Sequence, residues 1–273
     1  MSEATLPHTR LGTGAPLVVV PGLSGRRGVP ESFRRWMRWR EIVELSSERD
    51  VWSIQRRVGL EPGISVRQLA AEYAATLREL FDGPVDVIGV STGGSIALQL
   101  TADHPELVRR LVLVSAAHRL SDQGRDTQRR VAELLRAHQP RRAASVFLAA
   151  TAGGWPSRAV FALVGLLAPR LVVGRDDTDL LATLDAEDTF NLASKLTTID
   201  TRTLVTGGGH DHFYGDAMVE IRTRMPRARL ELVPRRGHMG TLGNRKLARR
   251  VLRFLDNAEL ERPGGERASR RDG

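Results

Sequence analysis

The sequence lacks cysteine entirely, which excludes disulfide bonds, thiolate metal sites and a cysteine nucleophile. It also lacks a long apolar segment. The longest apolar run, Ala159 to Ala168, is far shorter than the roughly 20 residues that a bilayer-spanning helix needs. Met1 to Arg10 contains no apolar core of a secretory signal peptide. We therefore expect a cytoplasmic protein that does not associate with membranes.

Lysine is nearly absent, occurring at Lys195 and Lys246 alone, so the formal net charge of +9 comes from arginine. A basic chain can bind nucleic acid or other acidic surfaces. The arginines are scattered along the sequence, however, which is more typical of solvated helix faces than of a nucleic-acid site. They are dense near the end of the chain, and we expect residues 258–273 to form a disordered basic tail.

Apolar strands and amphipathic helices alternate over the first 115 residues. Such alternation favours a parallel sheet covered by helices on both faces. The helix expected from Ser65 to Phe81 starts with a capping box, in which Ser65 and Gln68 satisfy each other's backbone amides. Arg40 to Leu45 is interpreted as a further strand. The other segments are strands at Leu17–Val20, Val85–Val90 and Leu111–Val114 and a helix at Thr92–Asp103.

The alternation lapses between His118 and Leu184, where the sequence is mainly helical, and then resumes. The later segments are strands at Thr203–Thr206 and Leu230–Val233 and helices at Asp216–Met225 and Asn244–Leu255. This pattern predicts an α/β fold, with a mostly parallel central sheet flanked by helices and with a helical cap insertion. The expected boundaries are residues 1–118 and 190–257 for a discontinuous core and 119–189 for the cap.

Gly89-Val90-Ser91-Thr92-Gly93 matches the pattern G-x-S-x-G where a buried strand ends and a helix begins. The chain turns so sharply there that bulky side chains two residues before and after the serine would collide. Glycines at 89 and 93 remove the collision. The hydroxyl of Ser91 is then exposed above the sheet edge, at a helix N-terminus that favours developing negative charge. Ser91 is therefore the candidate nucleophile.

A serine hydroxyl needs a base that takes its proton. His238 stands between glycines in the loop that follows the strand at Leu230–Val233. It also completes the chain order serine, acid, histidine, which makes it the preferred base. His210 and His212 are its rivals, and His118 is a weaker one.

The acid that orients the histidine is expected in the loop after the Thr203–Thr206 strand. Asp211 occupies that loop, behind three glycines, and Asp216 is the alternative. The run His210-Asp211-His212 also consists of metal-ligand side chains. No further ligands cluster with them in the sequence, so we predict no metal site.

The negative charge that develops on the substrate oxygen needs two backbone N–H donors, each worth very roughly 3 kcal/mol in the transition state. One donor is expected from Thr92, which follows the nucleophile. The other is expected from the loop Pro21-Gly22-Leu23-Ser24-Gly25 after the first apolar strand, with Leu23 as the candidate.

Together these residues resemble the α/β-hydrolase fold superfamily, specifically its cap-bearing members, over roughly residues 9 to 257. Further matching motifs are Gly12-Thr13-Gly14-Ala15-Pro16, His104-Pro105-Glu106-Leu107-Val108 and Gly237-His238. The resemblance implies a Ser91–His238–Asp211 triad, a cap over the pocket and independence from cofactors.

Three features depart from the family pattern. Pro21-Gly22 stands where many relatives have His-Gly in the oxyanion loop, so the support of that loop is expected to differ. Ser46 to Gln55 lacks the glycines of the Asp-x-x-Gly-x-Gly loop that often follows the next strand. The first strand of the sheet is expected to be shortened or absent, because little sequence precedes Leu17.

We therefore predict a serine hydrolase that cleaves an ester, lactone or thioester of a small, mainly apolar substrate through an acyl-enzyme intermediate. The apolar preference rests on four side chains of the insertion, which could equally well pack the cap onto the core: Phe147, Trp155, Phe161 and Leu163. The alternatives are a carbon–carbon bond hydrolase or a cofactor-free haloperoxidase-like enzyme on the same triad, and a non-catalytic ligand-binding protein of the same fold.

Overall fold

A single seven-stranded sheet organises the computed structural model, which describes residues 5–23, 44–174, 177–240 and 245–256. In chain order the strands are β1 His8–Leu11, β2 Ala15–Val20, β3 Arg49–Ile54, β4 Val85–Val90, β5 Val108–Val114, β6 Arg202–Gly208 and β7 Ala228–Val233. Their spatial order is β1-β3-β2-β4-β5-β6-β7. Strand β1 pairs antiparallel with β3, and all other neighbours pair in parallel. The mostly parallel central sheet predicted from the sequence is confirmed.

Helices cover both faces of this sheet, which explains why its central strands are apolar on both sides. All six residues of β4 are buried. In β5, Leu111 and Leu113 pack into one apolar cluster, while Val112 and Val114 belong to a second cluster on the other face. The helices of the described chain are α1 Val66–Leu80, α2 Thr92–Asp103, α3 Asp122–Arg136, α4 Pro140–Thr151, α5 Trp155–Leu167, α6 Thr178–Asp188, α7 Gly215–Arg224 and α8 Arg245–Asp256.

The capping box predicted at the start of α1 is present. The Ser65 hydroxyl oxygen accepts from the Gln68 amide at 3.2 Å, and the Gln68 side chain accepts from the Ser65 amide at 2.9 Å. Both orphan donors are thus satisfied, which fixes the residue at which the helix begins.

The predicted helical insertion lies between β5 and β6 and consists of α3, α4, α5 and α6. Helices α3, α4 and α6 share an apolar cluster, and α5 packs side by side with α4. The members of that cluster include Val131, Leu135, Ala144, Val173, Leu180 and Leu184. The insertion therefore has an apolar cluster separate from the two that flank the sheet.

The two expectations about the first strands have different outcomes. The first strand is short, as expected: β1 is a partly exposed edge strand of four residues, His-Thr-Arg-Leu, so it leaves no apolar run in the sequence. The strand placed at Arg40 to Leu45 is wrong. Residues 44–46 are helical, residues 40–43 lie outside the described ranges, and the strand is β3.

Strand β3 escaped the hydropathy pattern because it begins with two charged residues, Arg49 and Asp50, which are nonetheless buried. Arg49 pairs with Asp256 at the end of α8, and Asp50 accepts from Arg10 of β1 at 2.7 Å. Each buried charge therefore has an opposite charge that compensates its desolvation. The tail expected at residues 258–273 lies outside the described residues.

The parallel strands direct their carboxyl ends to one edge of the sheet, where ligand sites of open α/β folds occur. Loops leave that edge after β2, β4, β6 and β7. These loops carry Leu23, Ser91, Asp211 and His238, respectively. Among the described residues, no helix is both long and apolar enough to cross a bilayer.

Candidate active site

Ser91 lies in the turn between β4 and α2 with a strained backbone, at φ 52° and ψ −128°. The turn is tight enough to require glycine on both sides of it. A Cβ atom on Gly89 would lie 2.5 Å from the Cα atom of Gly94, and one on Gly93 would lie 2.2 Å from the carbonyl oxygen of Val20. Positive φ in a non-glycine residue costs of the order of 1–3 kcal/mol and is common at functional sites.

His238 reaches the Ser91 hydroxyl from the loop after β7. Its Nε2 atom lies 2.9 Å from the Ser91 Oγ atom. The imidazole is almost fully buried, and the Ser115 hydroxyl donates to the carbonyl oxygen of His238 at 2.9 Å. Both the ring and the backbone of His238 are thus held in place, 147 residues along the chain from Ser91.

Asp211 lies on the opposite side of the imidazole. Its Oδ2 and Oδ1 atoms are 2.9 and 3.1 Å from Nδ1 of His238. The amides of Phe213 and Tyr214 also donate to Oδ1, at 2.9 and 3.2 Å. Burial alone would raise the pKa of Asp211, but the charge of His238 and these hydrogen bonds outweigh burial and hold the pKa below its ordinary value. The carboxylate is therefore ionised at neutral pH.

The alternative acid, Asp216, lies elsewhere. Its side chain is 61% exposed and pairs with Arg119 at 3.0 Å. Of the two aspartates left open by the sequence, Asp211 alone contacts the imidazole of His238 in the described structure.

The rival histidines have other partners. His118 is buried 3.2 Å from the Glu220 carboxylate, and burial lowers its pKa. The Nδ1 atom of His210 lies 3.3 Å from the Gly153 carbonyl oxygen. The Nε2 atom of His212 lies 2.8 Å from the Thr127 hydroxyl, and burial together with the charge of Arg158 lowers the pKa of His212.

The run His210-Asp211-His212 therefore sends its three side chains to three different partners. Among the described residues, no group of three or more histidine, aspartate or glutamate side chains is close enough to hold a metal ion.

The two expected oxyanion donors flank Ser91. Thr92 is the first residue of α2 and is buried. Leu23 is half-buried in the loop after β2, which passes so close to Ser91 that a Cβ atom on Gly22 would lie 3.2 Å from the Ser91 Cβ atom. Both backbone segments are thus adjacent to the hydroxyl that would attack a carbonyl.

Arg56 supports the Pro21-Gly22 loop and was not anticipated from the sequence. Its guanidinium donates to the carbonyl oxygens of Pro21 and Gly22, at 3.1 and 3.0 Å. Arg56 follows β3 directly, so the position of that strand was the signal that would have revealed it. A side chain from the loop after β3 therefore stabilises the Pro21-Gly22 turn.

Aromatic rings surround the imidazole. Phe213 contacts His238 edge-on at 5.0 Å between ring centroids, and Tyr214 stacks on it at 5.8 Å. Phe147 of α4 packs against Phe213 at 5.6 Å. Trp155 and Leu163, by contrast, are 82% and 55% exposed on α5. Of the apolar side chains expected to shape the site, Phe147 is the one that reaches its aromatic wall in the described residues.

A cavity of about 530 Å³ opens beside the loop that carries Asp211, where the insertion meets the core. His210 and His212 border it on one side and Trp155 and Arg158 on the other, with alanines between them. A second cavity, of about 380 Å³, lies next to Gly237 and Met239. The segment of Gly153 lines both cavities and touches the loop of His238, since a Cβ atom on Gly153 would lie 2.6 Å from the Gly237 nitrogen.

Comparison with known proteins agrees with this architecture. A sequence model of the alpha/beta hydrolase family matches residues 17–250. The pyrrolizixenacetamide deacetylase of Xenorhabdus hominickii is 22% identical over 253 residues, which are 89% of this chain and 91% of that protein. The 2-hydroxymuconate semialdehyde hydrolase of Pseudomonas sp. (strain CF600) is 35% identical over 116 residues, 39% of this chain and 38% of the relative.

Among solved structures, the enol-lactonase from Burkholderia xenovorans LB400 superposes with a TM-score of 0.75 at 19% identity. The superposition covers 92% of this chain and 96% of the lactonase. At that level of identity the likeness concerns the fold.

Proposed function

This chain belongs to the alpha/beta hydrolase family, and on that premise we propose that it is a serine hydrolase of esters, lactones or thioesters. The observation that carries the proposal is the continuous chain of hydrogen bonds from Ser91 through His238 to Asp211. We propose a small, mainly apolar substrate, because Phe213 packs beside the imidazole and Phe147 packs against Phe213. Residues 119–189 would form the cap.

In the first half of the reaction, Nε2 of His238 accepts the Ser91 proton while Oγ attacks the carbonyl carbon. The electron pair of the carbonyl bond moves onto its oxygen, which the amides of Leu23 and Thr92 stabilise. The imidazolium then donates its proton to the leaving alcohol or thiol, and the C–O or C–S bond breaks. The acyl group remains as an ester of Ser91.

In the second half, water takes the place of the leaving group and His238 accepts its proton. A second oxyanion collapses, and Ser91 recovers its proton as the acid leaves. Asp211 contributes by keeping the proton of the neutral ring on Nδ1, which leaves the lone pair of Nε2 directed at the serine. It also stabilises the imidazolium that forms in both halves.

The names of the relatives support acyl chemistry: one is a deacetylase, and a structural neighbour is an enol-lactonase. Both activities break a carbonyl-to-heteroatom bond, which one triad and one oxyanion hole can serve. This is why we include lactones in the proposal.

A fluorophosphonate probe tests the proposal, because it reacts with activated serines. Wild type should be labelled, and Ser91→Ala should lose all labelling and the hydrolysis of p-nitrophenyl esters. Ser157→Ala, the same change at a serine of α5 that bonds the Gly154 carbonyl, should be labelled like wild type. Absence of labelling in wild type would favour a non-catalytic binding protein instead. A panel of esters, lactones and thioesters then identifies the bond.

A carbon–carbon hydrolase is the second candidate, favoured by the 35% identity to the 2-hydroxymuconate semialdehyde hydrolase over part of the chain. The two candidates differ in substrate and share the triad. Disappearance of the absorbance of 2-hydroxymuconate semialdehyde, in wild type but not in Ser91→Ala, would favour it. Turnover of esters alone would leave ester hydrolysis as the activity.

A further inference from the structure

Glu187, near the end of α6, is completely buried beside the candidate active site. Its carboxylate accepts four hydrogen bonds. Oε1 accepts from the Ser95 hydroxyl at 2.9 Å and from the Tyr214 hydroxyl at 2.5 Å. Oε2 accepts from the Thr92 hydroxyl at 2.6 Å and from the Gln128 side-chain amide at 3.1 Å. Four donors match the four acceptor positions of a carboxylate.

All four donors are neutral, and no ion pair of Glu187 occurs among the described residues. A carboxylate removed from water is strongly destabilised unless hydrogen bonds replace its hydration. The free energy of the site therefore depends on all four donors being in place at once. That requirement ties together four separate elements: α2, α3, α6 and the loop after β6.

On one side, Glu187 holds the first turn of α2, the helix that begins after Ser91 and is called the nucleophile helix below. Thr92 is the residue after Ser91, and its amide is the expected oxyanion donor. Ser95 follows one turn later, and its own amide donates to the Ser91 carbonyl oxygen at 3.3 Å. Two hydroxyl anchors on successive turns fix both the position and the rotation of that helix end.

On the other side, Glu187 holds the support of the base. Tyr214 stacks on the imidazole of His238, and its amide donates to Asp211. Burial and the negative charge of Glu187 raise the pKa of Tyr214 well above its ordinary value, so the phenol remains a donor. With its hydroxyl held by Glu187, the tyrosine ring has a fixed plane against which the imidazole packs.

We propose that Glu187 is a positioning residue, through which the insertion sets the distance between the nucleophile helix and the imidazole. The proposal rests on the hydrolase function proposed above. It predicts that Glu187 acts on the rate of the chemical step and not on the binding of substrate, because none of its four hydrogen bonds is made to a group that a substrate would contact in that mechanism.

The substitution Glu187→Gln tests this while preserving shape. The new amide group cannot face the Gln128 amide as that amide now stands. Either it faces Ser95 and Tyr214, whose hydroxyls then have to turn and accept, or the side-chain amide of Gln128 has to flip. We expect kcat per titrated active site to fall roughly 10- to 100-fold, since a misplacement of about 1 Å in an active site costs rates of that order. KM should change by less than about threefold, because ground-state binding is not altered.

The matched control is Asp188→Asn, the same chemical change at the next residue of α6. Asp188 pairs with Arg129 at the surface, at 2.9 Å, and its loss should leave kcat unchanged. Tyr214→Phe should lower kcat in the same way as Glu187→Gln. The loss of kcat in the double variant should not exceed the larger of the two single losses, because both changes break the same contact, that between Tyr214 and Glu187.

A kcat per titrated site within twofold of wild type in Glu187→Gln would overturn the proposal, as would multiplicative losses in the double variant. If Glu187→Gln does not fold, Tyr214→Phe and Ser95→Ala each remove one donor, and unchanged kcat in both would overturn it as well. Wild-type labelling by the fluorophosphonate probe keeps the two proposals apart. If wild type is labelled and Glu187→Gln has a normal kcat, only the proposed role of Glu187 is rejected. If wild type is not labelled, both that role and the proposed hydrolase function are rejected.

Discussion

At the scale of single residues, the imidazole of His238 is restrained from three directions. Its two ring nitrogens are hydrogen-bonded to Ser91 and Asp211, and Tyr214 stacks on its face. A ring rotation would break both hydrogen bonds at once. In the proposed reaction, His238 would therefore accept the serine proton with little reorganisation.

In the proposed mechanism, Asp211 determines which nitrogen of His238 carries the proton. An asparagine at that position can donate to Nδ1, which would place the ring proton on Nε2 and block it as a base. We therefore expect Asp211→Asn to lower kcat for p-nitrophenyl esters by roughly 10⁴-fold with the geometry intact. Steady-state kinetics with active-site titration measures the loss.

Asp216→Asn is the control for that substitution, because the Asp216 side chain is exposed and pairs with Arg119 at 3.0 Å. It should keep a near-normal rate. If Asp216→Asn is instead the impaired variant, the acid has been misassigned to Asp211.

At the scale of elements, the junction of β4 and α2 tolerates no additional atoms. Gly93→Ala would place a methyl group 2.2 Å from the Val20 carbonyl oxygen, on the strand that carries the oxyanion loop. Overpacking of this kind costs about 1–3 kcal/mol, and more where backbone atoms must shift. Urea denaturation should show that loss, together with weaker probe labelling of Ser91.

Gly154→Ala is the matched control. The Cβ atom there would have no neighbour within 4 Å, and the backbone is extended at φ −168°. The free energy of unfolding should change by no more than about 0.5 kcal/mol. Equal losses of unfolding free energy in Gly93→Ala and Gly154→Ala would show that Gly93 is required for backbone flexibility and not because space for a side chain is lacking.

The elements that the sequence predicted are those in which local preference and burial agree. Helix α1 has its capping box and apolar face, and β4 is a continuous apolar run. Strand β3 was misplaced and the short strand β1 was not located, because each contains charged residues whose partners lie far away in the chain: Arg10 binds Asp50, and Arg49 binds Asp256. A hydropathy pattern predicts that such residues are exposed to solvent, because it contains no information on the ion pairs that allow their burial.

The same limit explains which site residues could be found. Ser91, Asp211 and His238 each follow a strand, so the rule that strand ends meet at one edge was sufficient to group them. Arg56 also follows a strand, but that strand was not recognised. Glu187 lies within a helix of the insertion, and no local pattern distinguishes a buried glutamate there from the exposed acids beside it.

At the scale of the whole molecule, the insertion is joined to the core by polar contacts as well as by apolar packing. The Asp179 carboxylate of α6 accepts from the amides of Gly59 and Leu60, the latter at 2.8 Å. Glu187 binds the start of α2, and the segment of Gly153 packs on the loop of His238. Contacts at three separated points restrict rocking of the insertion relative to the sheet.

Acid should destabilise this molecule through a few carboxylates that are distributed over the fold. The pKa values of Asp50, Asp103 and Asp211 all lie below the ordinary value, because bonds to Arg10, to Lys195 and to His238, respectively, outweigh the effect of burial. A group whose pKa is lower in the folded state stabilises that state above the unfolded pKa, which is about 3.9 for aspartate. That stabilisation is lost as the pH falls below this value toward the folded pKa.

We therefore expect the free energy of unfolding to fall steeply below about pH 4, where net positive charge also accumulates on a chain that already carries +9. Asp103 accepts from Lys195 and Arg67, both at 2.7 Å, so Asp103→Asn should reduce stability at pH 7 and flatten the acid dependence. Asp82→Asn, at an exposed position outside any described ion pair, should do neither. Urea unfolding from pH 3 to pH 7 measures both effects. A parallel acid dependence in wild type and Asp103→Asn would mean that Asp103 binds protons alike in the folded and unfolded chains, and that the acid sensitivity arises elsewhere.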